Sequence, residues 1–175
     1  MHRLIKGLTV LSLVAVLAVA AYPAQIYWYF TQGTAAVFQT DDLAKVASYS
    51  HSAVETRVVV KRGESVWVHV PFTNPAQDGV FIDMVRLIWK ADARNIFISQ
   101  VEVCDVLTKL WSKTGNFQGA ISTSSAKTTD WKLGQNWKVQ GGLTVSFLVT
   151  NKGGKDQGVS LCSVGVHGGV DTSHR

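Results

Sequence analysis

The side chains equipped for chemistry in this 175-residue chain are two cysteines, five histidines, a scatter of acids and six tryptophans. Cys104 and Cys162 each lie in an apolar run, Val101-Glu102-Val103-Cys104 and Ser160-Leu161-Cys162. Neither belongs to a C-x-x-C motif and neither has a histidine beside it, so an activated thiolate is not indicated. In an exported protein an even cysteine count favours a disulfide. A Cys104–Cys162 bridge would contribute roughly 4 kcal/mol on the chain-entropy picture. The phases disagree, because Cys104 alternates with Glu102 whereas Cys162 alternates with Val164 and Val166; a bulge would remove the mismatch. The alternative is two free thiols packed as small apolar groups. Of the histidines, His51, His69, His167 and His174 lie beyond the first residues, and no two stand at metal-ligand spacing. Asp78, Asp83, Asp92, Glu102 and Asp105 form no motif, although glycosidase chemistry needs two carboxylates facing each other across a cleft. Asp78-Gly79 and Asp156 fit turns better than calcium ligands. The nucleophile elbow, the phosphate-binding loop and the zinc-protease helix are absent. The sequence therefore indicates no catalytic residue, no metal and no cofactor.

The tryptophans are less easily assigned. Trp89 sits in a long apolar segment and reads as core. Trp131 and Trp137 flank Lys132, Gln135, Asn136 and Lys138, the polar company in which an aromatic ring stacks on a sugar or a lipid headgroup. Trp67 shares one face of a predicted strand with His69, which reads as a solvent-side residue. The candidate ligand-binding set is Trp131, Trp137, Lys132, Asn136, Trp67 and His69.

The elements that must position these residues are strands. Leu143–Thr150 alternates strictly, with Leu143, Val145, Phe147 and Val149 on one face. Asn151-Lys152-Gly153-Gly154 has turn chemistry, and Val159–Val166 follows, so the two runs are expected to pair as a central hairpin. Val66, Val68, Val70 and Phe72 alternate with Trp67 and His69 until Pro71 and Pro75 end that strand. Further apolar runs cover Arg57–Lys61, Val80–Lys90, Asn95–Asp105 with a continuation through Val106–Trp111, and Trp131–Gln140. Gly115–Asp130 is rich in Ser, Thr and Lys and reads as a loop with a short strand near Phe117–Ile121. Seven to nine short strands at this spacing predict an all-β chain, an antiparallel β-sandwich of jelly-roll or immunoglobulin-like type. Val66–Pro71, Ile98–Asp105 and the tryptophan-bearing strand ahead of Gly142–Ser146 together resemble a group of small bacterial β-sandwich proteins of unassigned function. The resemblance spans about Val66–Val166 and implies the fold alone.

Ahead of this domain, Arg3 and Lys6 precede an uncharged run, Gly7–Ala21, and Ala18-Val19-Ala20 fits a small-x-small cleavage site. The organisation expected is a signal peptide or membrane anchor over 1–20, a linker with a short helix over 21–54, the sandwich over 55–168 and a flexible tail over 169–175. The apolar character continues through Ile26–Phe30. An uncut Leu8–Phe30 would be long enough to span a bilayer, with Tyr27–Tyr29 as an interfacial belt. Lys6-Gly7 also resembles the leader of type IV pilin-like proteins, but Ser12 stands where that family usually has Glu, and Pro23 would interrupt the helix. The net charge of +5 includes Arg3 and Lys6. No Lys/Arg cluster with interleaved aromatics points to nucleic acid.

The sequence thus predicts a secreted or extracytoplasmic β-sandwich that works by binding or assembly rather than catalysis. Its expected partner is an extracellular glycan, a cell-surface component or a second copy of itself, with membrane contact through the N-terminal segment alone. The alternatives are a membrane-anchored or pilin-like surface subunit, a secreted hydrolase whose site assembles in space, and a membrane-active β-protein.

Overall fold

Segments that alternate apolar and polar residues must hide one face each, and two stacked sheets do this. The computed structural model has this architecture; it describes residues 25–38, 43–72, 80–106, 108–121 and 125–170. Eleven strands are present among the described residues: β1 (Gln25–Gln32), β2 (Val37–Phe38), β3 (Ala47–His51), β4 (Thr56–Val60), β5 (Ser65–Phe72), β6 (Val80–Ala91), β7 (Ile96–Asp105), β8 (Thr108–Phe117), β9 (Lys127–Lys138), β10 (Leu143–Asn151) and β11 (Gln157–Val170). The first sheet has the order β3-β4-β11-β6-β9, with β1 also on β11. The second sheet has the order β2-β5-β10-β7-β8. All strand pairings are antiparallel. The chain changes sheet at almost every connection from β5 onward, the connectivity of a jelly-roll sandwich.

The core is the set of inward residues that the alternation marks. Val66, Val68 and Val70 of β5, Ile82, Val85, Leu87 and Trp89 of β6, and Leu143, Val145, Phe147 and Val149 of β10 are all buried. They meet Val159, Leu161, Val164 and Val166 of β11. Each such side chain contributes roughly 1.5–3 kcal/mol of burial. Trp89 is core as expected, and its indole N–H donates to Thr129 Oγ1 at 3.1 Å.

Three expectations need correction. β10 and β11 do not form a hairpin: β10 lies between β5 and β7, whereas β11 lies between β4 and β6 in the opposite sheet. Alternation is the same in either arrangement. The connection is an arch tied by Asn151, whose Nδ2 donates to the carbonyls of Val60 and Lys155, both at 2.9 Å. Asn151 Oδ1 accepts from the Gly153 N–H at 2.8 Å.

The segment expected as a linker holds the short helix Leu43–Val46, but also strands β1, β2 and β3, which pair into both sheets. The sandwich therefore begins well before residue 55, and β11 runs to Val170. Finally, Tyr27–Phe30 lies in β1, paired with β11, and cannot be the end of a membrane-spanning helix. The predicted leader, the helix caps at Thr40–Asp42, Asp78-Gly79 and the last residues of the tail lie outside the described residues.

The two long edge strands are marked by charge. β8 carries Lys109 and Lys113, and β9 carries Lys127, Lys132 and Lys138, all exposed. Lysines on an edge oppose strand-to-strand addition of a second molecule.

Candidate functional site

The structure divides the six predicted ligand-binding residues between the two sheets and withdraws one of them, Trp131, from solvent. Trp131 is 2% exposed. Its ring meets Phe117 edge-on at 5.3 Å and Phe147 at 6.0 Å. Trp137 is half-buried against the core. Both indole N–H groups are buried without a protein partner. The Trp131 ring is not presented to solvent as the sequence reading expected, whereas Trp137 keeps part of its surface exposed. The polar residues beside them alternate with the tryptophans along β9 and so occupy the opposite, outward face. Lys132 and Asn136 are exposed there.

Trp67 and His69 lie on the outer face of the second sheet, both half-buried. They are successive outward residues of β5, because Val66, Val68 and Val70 take the inward positions. Their rings are stacked, 6.2 Å apart with planes within 13° of parallel. His69 Nδ1 and Ser146 Oγ are 2.8 Å apart, which fixes the imidazole. Burial lowers the His69 pKa below its usual value, against the opposing pull of Glu102, so the ring is neutral at pH 7.

Register then aligns polar groups on the same face as this aromatic pair. One cross-strand row runs Trp67, Leu148, Gln100 and Thr114, and the next runs His69, Ser146, Glu102 and Ser112. Strands lie about 4.8 Å apart, so Gln100 and Glu102 stand roughly 10 Å from the aromatic pair. The Gln100 amide donates to Glu102 Oε1 at 2.8 Å, and Lys109 Nζ donates to the same oxygen at 2.6 Å. Glu102 has a side-chain exposure of 15%, against 55% for Lys109. The hydrogen bond to Glu102 raises the Lys109 pKa, so the ammonium stays charged. Aromatic faces beside fixed amide, carboxylate and ammonium groups suit a ligand with one apolar ring face and hydroxyls on its rim.

The outer face of the first sheet carries a second cluster that sequence reasoning missed. Trp28 and Phe30 of β1 stack at 5.5 Å with planes 19° apart. The Arg86 guanidinium lies 4.3 Å over the Trp28 ring. Arg86 is held by a two-point pair to Asp130 at 2.8 and 2.7 Å, which keeps the Asp130 carboxyl below its usual pKa and raises that of Arg86. His167 packs 4.9 Å from Trp28 and pairs with Asp83 at 2.6 Å. Phe30 lies against Gly165, where any Cβ would come within 2.5 Å of the ring. A hollow of about 550 Å³ on this face is lined by Glu55, Arg57, Lys90, Asp92 and Ser160, among others. Its charges are already matched, Arg57 with Asp92 at 2.7 Å and Lys90 with Glu55 at 3.6 Å. Nothing in the sequence separates Trp28 and Phe30 from their neighbours, since Tyr27 and Tyr29 are aromatic too. Arg86, in phase with the outward residues of β6, was the one available signal.

The expected disulfide is absent: Cys104 and Cys162 are free thiols. Cys104 shares the outer face of the second sheet with Glu102 and Lys109. A bulge between Leu161 and Ser163 turns Cys162 outward on the first sheet, beside Glu55 and Lys90. Stacked sheets lie about 10 Å apart, and a disulfide spans Cα atoms at most about 7 Å apart. Burial raises both thiol pKa values. Among the described residues no group of three or more His, Cys, Asp or Glu side chains is placed to hold a metal ion.

No protein-family model and no curated protein sequence matches the chain. In three dimensions the chain is similar to a family 29 carbohydrate-binding module from Piromyces equi, with a TM-score of 0.50, 9% identity, and coverage of 86% of this chain and 96% of that one. It is also similar to the C-terminal family 6 carbohydrate-binding module of a marine laminarinase from Zobellia galactanivorans, with a TM-score of 0.48, 9% identity, and coverage of 80% and 98%. A family 61 module solved with β-1,4-galactotriose gives a TM-score of 0.42 at 16% identity, covering 79% and 86%. At 9% identity the likeness to the Piromyces equi module shows the β-sandwich fold alone.

Proposed function

We propose that the protein is an exported glycan-binding β-sandwich, and that the outer face of the second sheet holds a run of sugar units along the polymer. The observation that carries this reading is the stacked Trp67–His69 pair on the same outer face as the fixed Gln100–Glu102–Lys109 group. A pyranose presents C–H groups on one face and hydroxyls at its edge, so the outward aromatic surface takes the face of one unit and the polar row, two strands away, takes hydroxyls further along the chain. The aromatic pair lies on a sheet face rather than in an enclosed hollow, which favours an internal stretch of polymer. The Piromyces equi module that shares the sandwich is a carbohydrate-binding module, which supports the reading. Export rests on the basic and apolar leader.

Binding is favoured over turnover because five acids are already engaged. Asp83 pairs with His167, Asp92 with Arg57, Glu102 with Lys109 and Asp130 with Arg86, while Asp105 accepts the backbone N–H groups of Gln140 and Gly141. Self-assembly is disfavoured by the lysines on β8 and β9. The test is retention of the full chain on insoluble cellulose, chitin, xylan, mannan and β-1,3-glucan, together with a glycan array. Retention by at least one polysaccharide, competed by its soluble oligosaccharide, is expected. Passage through all of them with a blank array would overturn the reading.

A further inference from the structure

We propose that the bulge in β9 forms a second ligand site, separate from the second-sheet face, that takes a single neutral sugar unit such as a chain end. Pairing between β6 and β9 is regular from Trp89–Lys127 to Met84–Lys132 and resumes at Ile82–Trp137. Between these points Leu133–Asn136 lies opposite the single residue Asp83. Leu133 turns into the core, and the remaining residues swing outward. The turn depends on Gly134, whose φ of +81° is a conformation that L side chains rarely adopt. Bulges of this kind re-aim side chains and are common beside binding sites.

The bulge opens a hollow of about 400 Å³ lined by Asp83, Met84, Lys132, Gly134, Gln135 and Asn136. That volume is near the small end for ligand pockets, which run from roughly 300 to 1,000 Å³, and suits one or two sugar rings. The lining supplies a carboxylate, an ammonium and two primary amides, which together donate to and accept from adjacent hydroxyls. Lys132 is exposed and joins none of the salt bridges among the described residues, so on that account it is available to a ligand. Formal charges in the lining balance, Asp83 against Lys132, which points to a neutral hydroxylated ligand rather than an anion or a cation.

Asp83, which lines the hollow, is preorganised from behind. Asp83 holds His167 at 2.6 Å, His167 meets Trp28 at 4.9 Å, and Arg86 backs Trp28 while fixed by Asp130. The same register row runs Trp28, His167, Met84 and Lys132 across four strands of the sheet. Trp28 thus stands three strand spacings from Lys132, roughly 14 Å, and braces Asp83 through His167 rather than lining the hollow.

The experiment is a 1H–15N NMR titration of the full chain with the methyl glycosides of glucose, galactose, mannose and xylose. With at least one sugar, the side-chain amide signals of Gln135 and Asn136 and the backbone signal of Gly134 should shift in a saturable way. The shifts should persist in Trp67→Ala, which separates this site from the second-sheet face. Affinity should fall at least tenfold in Asp83→Asn and in Asn136→Ala, and both variants should keep the wild-type dispersion of core signals. Absence of these shifts with all four sugars, or shifts of undiminished affinity in both variants, would overturn the proposal. Loss of polysaccharide retention with these shifts intact would sink the second-sheet reading and leave this one standing.

Discussion

Trp67→Ala is the perturbation that most sharply probes the second-sheet face. Trp67 is half-buried on an outward position, so its removal opens no core cavity and the sandwich should stay folded. What is lost is one face of the indole. An indole side chain offers roughly 150–250 Å² in all, of which about 60 Å² lies on one face. At about 25 cal/mol per Å², covering that face yields ~1.5 kcal/mol, and covering the matching sugar face can double it to ~3 kcal/mol. Since about 1.4 kcal/mol corresponds to tenfold, Kd for the retained oligosaccharide should rise roughly 10- to 100-fold. Isothermal titration calorimetry of wild type, Trp67→Ala and Trp67→Phe reads this directly, with circular dichroism as the fold control. The phenylalanine variant should recover most of the loss, because it restores a flat apolar face. An unchanged Kd in folded Trp67→Ala would refute the reasoning, and so would a loss in Trp67→Phe as large as that in Trp67→Ala.

Other expectations follow from the same geometry. The two cysteines lie on opposite outer faces, so protein unfolded without reductant should titrate as two thiols by a colourimetric thiol assay; a bridged, thiol-free chain would contradict the sheet assignment. Val106 has φ +52° and is 64% exposed, a left-handed conformation that costs a β-branched residue about 1–2 kcal/mol. Val106→Asn should raise Tm by about 2–4 °C in a scanning calorimeter, and a lowered Tm would count against the strained turn. His69 has its folded pKa below 6.5, so the unfolded chain takes up the proton more readily. The stability contributed by the neutral ring is whole above about 6.5 and is lost as pH falls through the folded value. Urea unfolding at about pH 7.5 and about pH 5 should therefore show a smaller difference in His69→Gln than in wild type; an equal difference would remove His69 from the account.

Legibility of the fold followed the strength of alternation. β5 and β10 alternate strictly, and their inward residues were readable one by one. The place of β11 was not, because a strand alternates in the same way whether its neighbour pairs with it or faces it across the core. The side-chain bonds of Asn151, reaching Val60 and Lys155, mark the arch, and the first of these partners is remote in sequence. β1 was hidden for another reason: Ile26–Phe30 is apolar throughout and runs on from the leader, so no contrast separates its faces. Arg86 and His167, which clothe its outer side, come from distant strands. For the candidate site, the phase of β5 exposed Trp67 and His69, whereas Gln100 and Lys109 joined them through cross-strand register. Burial of Trp131 is not legible from its polar neighbours Lys132 and Asn136, which are exposed. On a pleated strand those neighbours belong to the other face.

The most direct measurement is the set of indole N–H resonances of the six tryptophans, followed as the oligosaccharide of the retained polysaccharide is added to 15N-labelled full chain. Binding at the second-sheet face predicts that the Trp67 signal moves furthest and saturates with the calorimetric Kd, while the signals of buried Trp89 and Trp131 hold still. A motionless Trp67 signal in the presence of saturating ligand would contradict the account.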